Sequence, residues 1–165
     1  MSAGTTLGNE SKPKVHVETS VLSYLAARPS RDPIAAGRQA ITKRWWELER
    51  KKYSLWISEL VLTECGRSER SMAEVRHTLI SEISLFPVNQ GIIELAQWLI
   101  APGAIPAKAA PDAIHIAAAA VEQCDYLLTW NFRHIANSRI RREVERILAT
   151  HGYAKTTICT PEELV

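Results

Sequence analysis

Five short runs that suit β-strands, each separated from the next by a stretch of helical periodicity, limit what this chain can fold into. The runs are 14–17, 53–57, 83–88, 125–130 and 156–159. Strands that alternate with helices predict one parallel sheet covered by helices on both faces, with right-handed crossovers. The expected architecture is therefore a three-layer α/β/α domain around about five parallel strands. Such sheets bind ligands beyond the carboxyl ends of their strands, where the strand order reverses.

The helical segments carry their own signals. From Asp32 to Lys52, Ile34, Ile41, Trp45 and Leu48 recur at helical spacing, which predicts one long amphipathic helix. Thr19-Ser20 is placed to cap the helix after the first strand, and Ser58 the helix after the second. Further helices are expected near 71–81, 90–101, 112–123 and 138–151. The third of these opens at Pro111 and is so rich in alanine that close packing on the sheet is expected. Residues 1–13 are small and polar and offer little apolar surface to offset ordering, so a disordered tail precedes a single domain over 14–165.

At 165 residues and 46% hydrophobic content the chain suits one domain. A net charge of +2 gives no bulk attraction for nucleic acid, so any polyanion site must be local. Cys65, Cys124 and Cys159 lack the spacing of a zinc site or a disulfide framework, which predicts reduced thiols and a cytoplasmic location. No signal peptide or membrane-spanning stretch is expected.

Four polar residues share the predicted address at the carboxyl edge: Glu18 after the first strand, Glu64 in the helix after the second, Asp112 at the start of the alanine-rich helix, and Asn131 after the fourth strand. Glu64 follows Leu60 and Val61 by helical spacing and so projects from an apolar side. Buried without a partner, Glu64 and Asp112 would be driven toward protonation, whereas a shared hard cation would keep both ionised. Oxygen donors of this kind suit Mg2+ or Mn2+, and the lack of paired His or Cys argues against zinc. Taken singly, each residue also has a plain structural role: a helix-dipole acid for Glu18 and Asp112, an ion-pair partner for Glu64, a turn residue for Asn131. His115, three residues after Asp112, is expected to be a hydrogen-bonded helix histidine, and His16 to be structural.

The segments 17–24 (VETSVLSY), 58–64 (SELVLTE), 111–117 (PDAIHIA) and 127–135 (LLTWNFRHI) resemble, in order and spacing, the PIN-domain ribonucleases that include VapC-type toxins. The resemblance runs from about Val15 to Leu164. It implies a metal-dependent endoribonuclease that hydrolyses RNA, with Glu18, Glu64, Asp112 and Asn131 as catalytic and metal-holding residues. It also implies that Ser20 and Thr129 orient the site and that Arg133 and His134 meet phosphate. Two positions depart from the family pattern: Glu18 is one methylene longer than the usual Asp, and Asn131 lacks the charge of the commoner Asp. The longer arm leaves open a scaffold that binds nucleic acid or protein without cleaving. A small antitoxin and a homodimeric partner are the expected associations, with Trp45 in the core and Trp46 as the interface candidate.

Overall fold

The computed structural model describes residues 11–67 and 70–165, without the side chains of 70–72. Strand β1 (Lys14–Val17) leads into α1 (Thr19–Ala26) and α2 (Pro33–Leu48), then β2 (Ser54–Ser58), α3 (Glu59–Cys65), α4 (Arg70–Ile80) and β3 (Ser84–Phe86). Helices α5 (Gln90–Ile100) and α6 (Ala110–Val121) precede β4 (Tyr126–Leu128), and α7 (Ser138–Thr150) precedes β5 (Thr157–Cys159). All neighbouring strands pair in parallel, in the order β3-β2-β1-β4-β5. The order reverses at β1, so the crevice between the ends of β1 and β4 is the switch point. The expected tail lies, for residues 1–10, outside the described residues, while the Pro13 carbonyl accepts from Ser54 N at 2.9 Å.

Alternation along β1 sends Val15 and Val17 to one face and His16 to the other. The first face packs with α1, α3 and the buried Trp45 of α2, joined by Ile57 and Leu128 from the sheet. The second face holds Leu127, Ile158 and Phe86 against α5, α6 and α7. On α6 the side chains of Ala113, Ala117, Ala118, Ala119 and Ala120 are all buried, which lets this helix sit between α5 and the sheet. Gly152 adopts φ 77° just after α7, a left-handed conformation that favours glycine at a helix end.

Two local expectations change. The long helix stops at Leu48, and Arg50–Lys52 tightens into a 3-10 turn before β2. The expected apolar stripe is also only partly covered: Trp45 is buried, whereas Ile34 and Leu48 stay exposed at the two ends. The cap of α1 differs as well. Glu18, rather than Thr19 or Ser20, is the N-cap residue, and its side chain accepts from Ser20 N. Trp46 is half-buried, with the Arg50 guanidinium 4.7 Å from its ring.

Candidate metal centre

Backbone pairing fixes the first acid. Glu18 N donates to Leu128 O at 3.0 Å, which prolongs the β1–β4 ladder by one residue and sets Glu18 at the switch point. With φ −83° and ψ 156° it leaves the strand and starts α1. Its longer arm bends back over that helix start: Oε1 accepts from Ser20 N at 3.1 Å, while Oε2 accepts from the Ser20 hydroxyl and from Thr129 Oγ1 at 2.7 Å. The side chain is thereby locked and almost wholly buried, at 5% exposure. Folding back is how the extra methylene is taken up. A carboxylate has about four lone-pair positions, so three donors do not exhaust it.

The same two hydroxyls tie the site to the chain after β4. Ser20 Oγ accepts from Trp130 N at 2.8 Å, and Thr129 Oγ1 accepts from Asn131 N at 3.0 Å. Thr129 is fully buried, and loss of its hydroxyl would take the acceptor from Asn131 N and one of the two donors from Glu18 Oε2.

Glu64 comes from α3, whose start is fixed by Ser58 Oγ accepting from Val61 N at 3.4 Å. Its Oε2 lies 3.0 Å from Nε2 of His115 and also accepts the Thr19 hydroxyl. Burial works to raise the Glu64 carboxyl pKa, but the bond and charge of His115, with Thr19 and Arg67, outweigh it and hold the group below the usual range. His115 is 1% exposed. Burial opposes its protonation, yet the Glu64 bond and the charges of Glu18, Glu64 and Asp112 raise its pKa above the ordinary value. Its Nε2 stands 3.9 Å from Glu18 Oε1.

Asp112 sits in the first turn of α6, one turn before His115. Burial, with the charge of Glu18, pushes its carboxyl up against the opposing pull of His115, His134 and Asn131. Asn131 donates Nδ2–H to Asp112 Oδ1 at 3.0 Å and accepts His134 N on its own Oδ1 at 3.1 Å. As placed, its amide holds Asp112 and closes the loop after β4.

The fold thus gathers Glu18, Glu64 and His115 within mutual reach, every donor atom lying within 4.8 Å of the others. Asp112 joins electrostatically and Asn131 through Asp112. Arg133 lies exposed in the loop beyond, and His134 is half-buried near Asp112. His115 is the hydrogen-bonded helix histidine expected, on the same helix side as Asp112 at i, i+3. Two contributors carry no site signal in the sequence. Thr19 has the pattern of a cap residue. Arg38 of α2, whose guanidinium lies 5.5 Å from the Trp130 ring and 5.0 Å from that of the exposed Phe132, gave none.

All three cysteines are buried thiols, with burial pushing the Cys65 thiol up to about 11 and those of Cys124 and Cys159 up to about 12. Among the described residues no helix is long and apolar enough to cross a membrane.

The five-stranded parallel sheet, its helices and its strand order define an α/β domain of the PIN type. Two solved structures carry the likeness. One is VapC20 of Mycobacterium tuberculosis, described as a sarcin-ricin loop cleaving toxin, at TM-score 0.56 and 16% identity over 85% of this chain and 96% of that one. The other is VapBC2 of Rickettsia felis bound to a DNA fragment from its promoter, at TM-score 0.56 and 15% identity over 89% of this chain and 98% of that one. No protein-family model and no curated protein matches the sequence.

Proposed function

We propose that this chain is a metal-dependent endoribonuclease of the VapC-like kind, hydrolysing RNA phosphodiester bonds at the edge between β1 and β4. The observation that carries the reading is the convergence of Glu18, Glu64 and Asp112, from three separate elements, on one switch point of a PIN-type sheet. Three acids gathered here, Glu18 buried and the other two partly so, call for positive charge beyond what the His115 ring beside them supplies. A divalent ion fits that deficit, and the oxygen-rich donor set suits Mg2+ or Mn2+.

Glu18, Glu64 and Asp112 would hold the ion. When bound, it would offset phosphate charge and make water a stronger nucleophile. The remaining work belongs to the chain. Ser20 and Thr129 keep Glu18 in one rotamer, and Asn131 does the same for Asp112. Arg133 and His134 follow directly in the loop and are placed to meet phosphate oxygens, while exposed Phe132 offers a face on which an unpaired base can stack.

A second reading has an observation of its own. Glu18 already receives three protein donors, which satisfies it without an ion and favours a scaffold that binds but does not cut. Purified protein incubated with structured and single-stranded RNAs separates the two. We expect cleavage with Mg2+ or Mn2+ and none with EDTA. RNA bound but left whole under both metals would bring the scaffold reading forward.

The toxin reading also carries a partner, a small antitoxin. Between α1, α2 and α4 an apolar groove lined by Tyr24, Leu25, Trp46 and Leu79 is shaped for an amphipathic helix. Leu79→Glu is expected to weaken co-purification of such a partner at least tenfold, as about 1.4 kcal/mol of lost contact would do. Undiminished capture would move the seat elsewhere.

A further inference from the structure

His115 has no part in an acid-only metal site, yet its placement is that of a ligand. Its Nε2 is 3.0 Å from Glu64 Oε2 and 3.9 Å from Glu18 Oε1. Donors around an octahedral ion with bonds of about 2.1 Å lie roughly 3 Å apart when adjacent and about 4.2 Å apart when opposite. Two of the three separations fall at 3.0 and 3.9 Å, and all three donor atoms lie within 4.8 Å of one another, close enough to share one ion after small adjustments.

A second observation is independent of the acids. Two buried ring nitrogens lack any hydrogen-bond partner: Nδ1 of His115 and Nε2 of His16. His16 is fully buried in β1, and its Nδ1 faces the Trp56 carbonyl oxygen at 3.4 Å. A carbonyl only accepts, so the His16 proton sits on Nδ1 and Nε2 of that neutral ring is a bare lone pair. The two rings are neighbours, with centroids 5.9 Å apart and planes inclined by 36°. No hydrogen bond joins the two rings, so Nδ1 of His115 is buried without a partner beside the neutral His16 ring. A proton held on His115 Nδ1 leaves Nε2 unprotonated among the carboxylates, which is the tautomer that binds metal.

We propose that Nε2 of His115 is a direct ligand of the cation held by Glu18 and Glu64, and that the site prefers Mn2+ to Mg2+. The inference rests on the reading of this edge as a metal centre and deepens it. Imidazole adds little for Mg2+, which is bound almost wholly through oxygen, whereas a nitrogen donor favours first-row transition ions.

Electron spin echo measurements on the full chain loaded with Mn2+ test this without reference to RNA. The expected result is 14N modulation from a directly bound imidazole in the wild-type protein, kept in His134→Gln and lost in His115→Gln. Growth on 15N-histidine gives a check with no substitution, since the modulation must then change to that of 15N. Mn2+ is expected to bind at least about tenfold tighter than Mg2+ in competition. Mn2+ that binds wild type and is released by Glu64→Gln, but shows no nitrogen modulation, overturns the role of His115 and leaves the carboxylate site standing. Absence of any bound Mn2+ overturns both.

Discussion

Glu64→Gln is expected to lower metal-dependent RNA cleavage by more than about 100-fold while the protein stays folded. Even a group that only orients a ligand costs roughly 10–100-fold in metal affinity or activity when removed, and Glu64 is itself placed as a ligand. The substitution keeps shape and hydrogen-bonding capacity: glutamine can still accept from Thr19 and meet His115, so the change is mainly the loss of a charge. Glu64 is also half-buried rather than enclosed, with 21% of its side chain exposed, which limits the structural cost. Initial rates over a Mg2+ and Mn2+ titration, beside far-ultraviolet circular dichroism, make the comparison. A variant that cuts at more than a tenth of the wild-type rate at every metal concentration would remove Glu64 from the reaction.

Trp45→Ala is expected to destabilise the protein by about 3–5 kcal/mol, the usual cost of deleting a large aromatic ring from a packed core. Trp45 is 1% exposed, stacks on Tyr53 with ring centroids 6.1 Å apart, and donates Nε1–H to Leu164 O at 2.7 Å. Deletion therefore empties core volume and also frees the carboxyl-terminal segment, whose Leu164 packs in the same cluster. Against a typical total of about 5–15 kcal/mol such a loss is large. Urea unfolding followed by tryptophan fluorescence measures it, and Trp45→Phe separates packing from the hydrogen bond by retaining a ring without the donor. A loss below about 1 kcal/mol for Trp45→Ala would mean that α2 is held by other contacts.

Strand and helix boundaries were legible wherever a local signal marked them. Lys14–Val17, with its alternating pattern, matches its strand, and Ser58 caps α3 as its position before the apolar run predicts. The placement of four polar residues at one sheet edge also followed from topology alone, since strand ends and crossovers fix that address. What the sequence could not carry was distance. The end of α2 depended on how much of its stripe the sheet side could cover, and Ile34 and Leu48 were left exposed. Glu18 looked too long for its place because the bend over Ser20 and Thr129 depends on a hydroxyl more than 100 residues away. His115 stands in an alanine run buried on nearly every side, so only its i, i+3 spacing from Asp112 pointed it toward the acids, and its bond to Glu64 of another helix was not legible.

The place of β1 in the middle of the sheet also orders events during synthesis. The first strand to be made needs β4 as a neighbour, and Glu18 N bonds to a carbonyl 110 residues later, at Leu128. Pairing of such sequence-distant segments is slow and comes late, because a long loop must close before the contact is gained. Thr129, which pins Glu18, and Asn131, which pins Asp112, leave the ribosome only after all three acids. An elongating chain thus has Glu18 and Asp112 in hand before it can aim either of them.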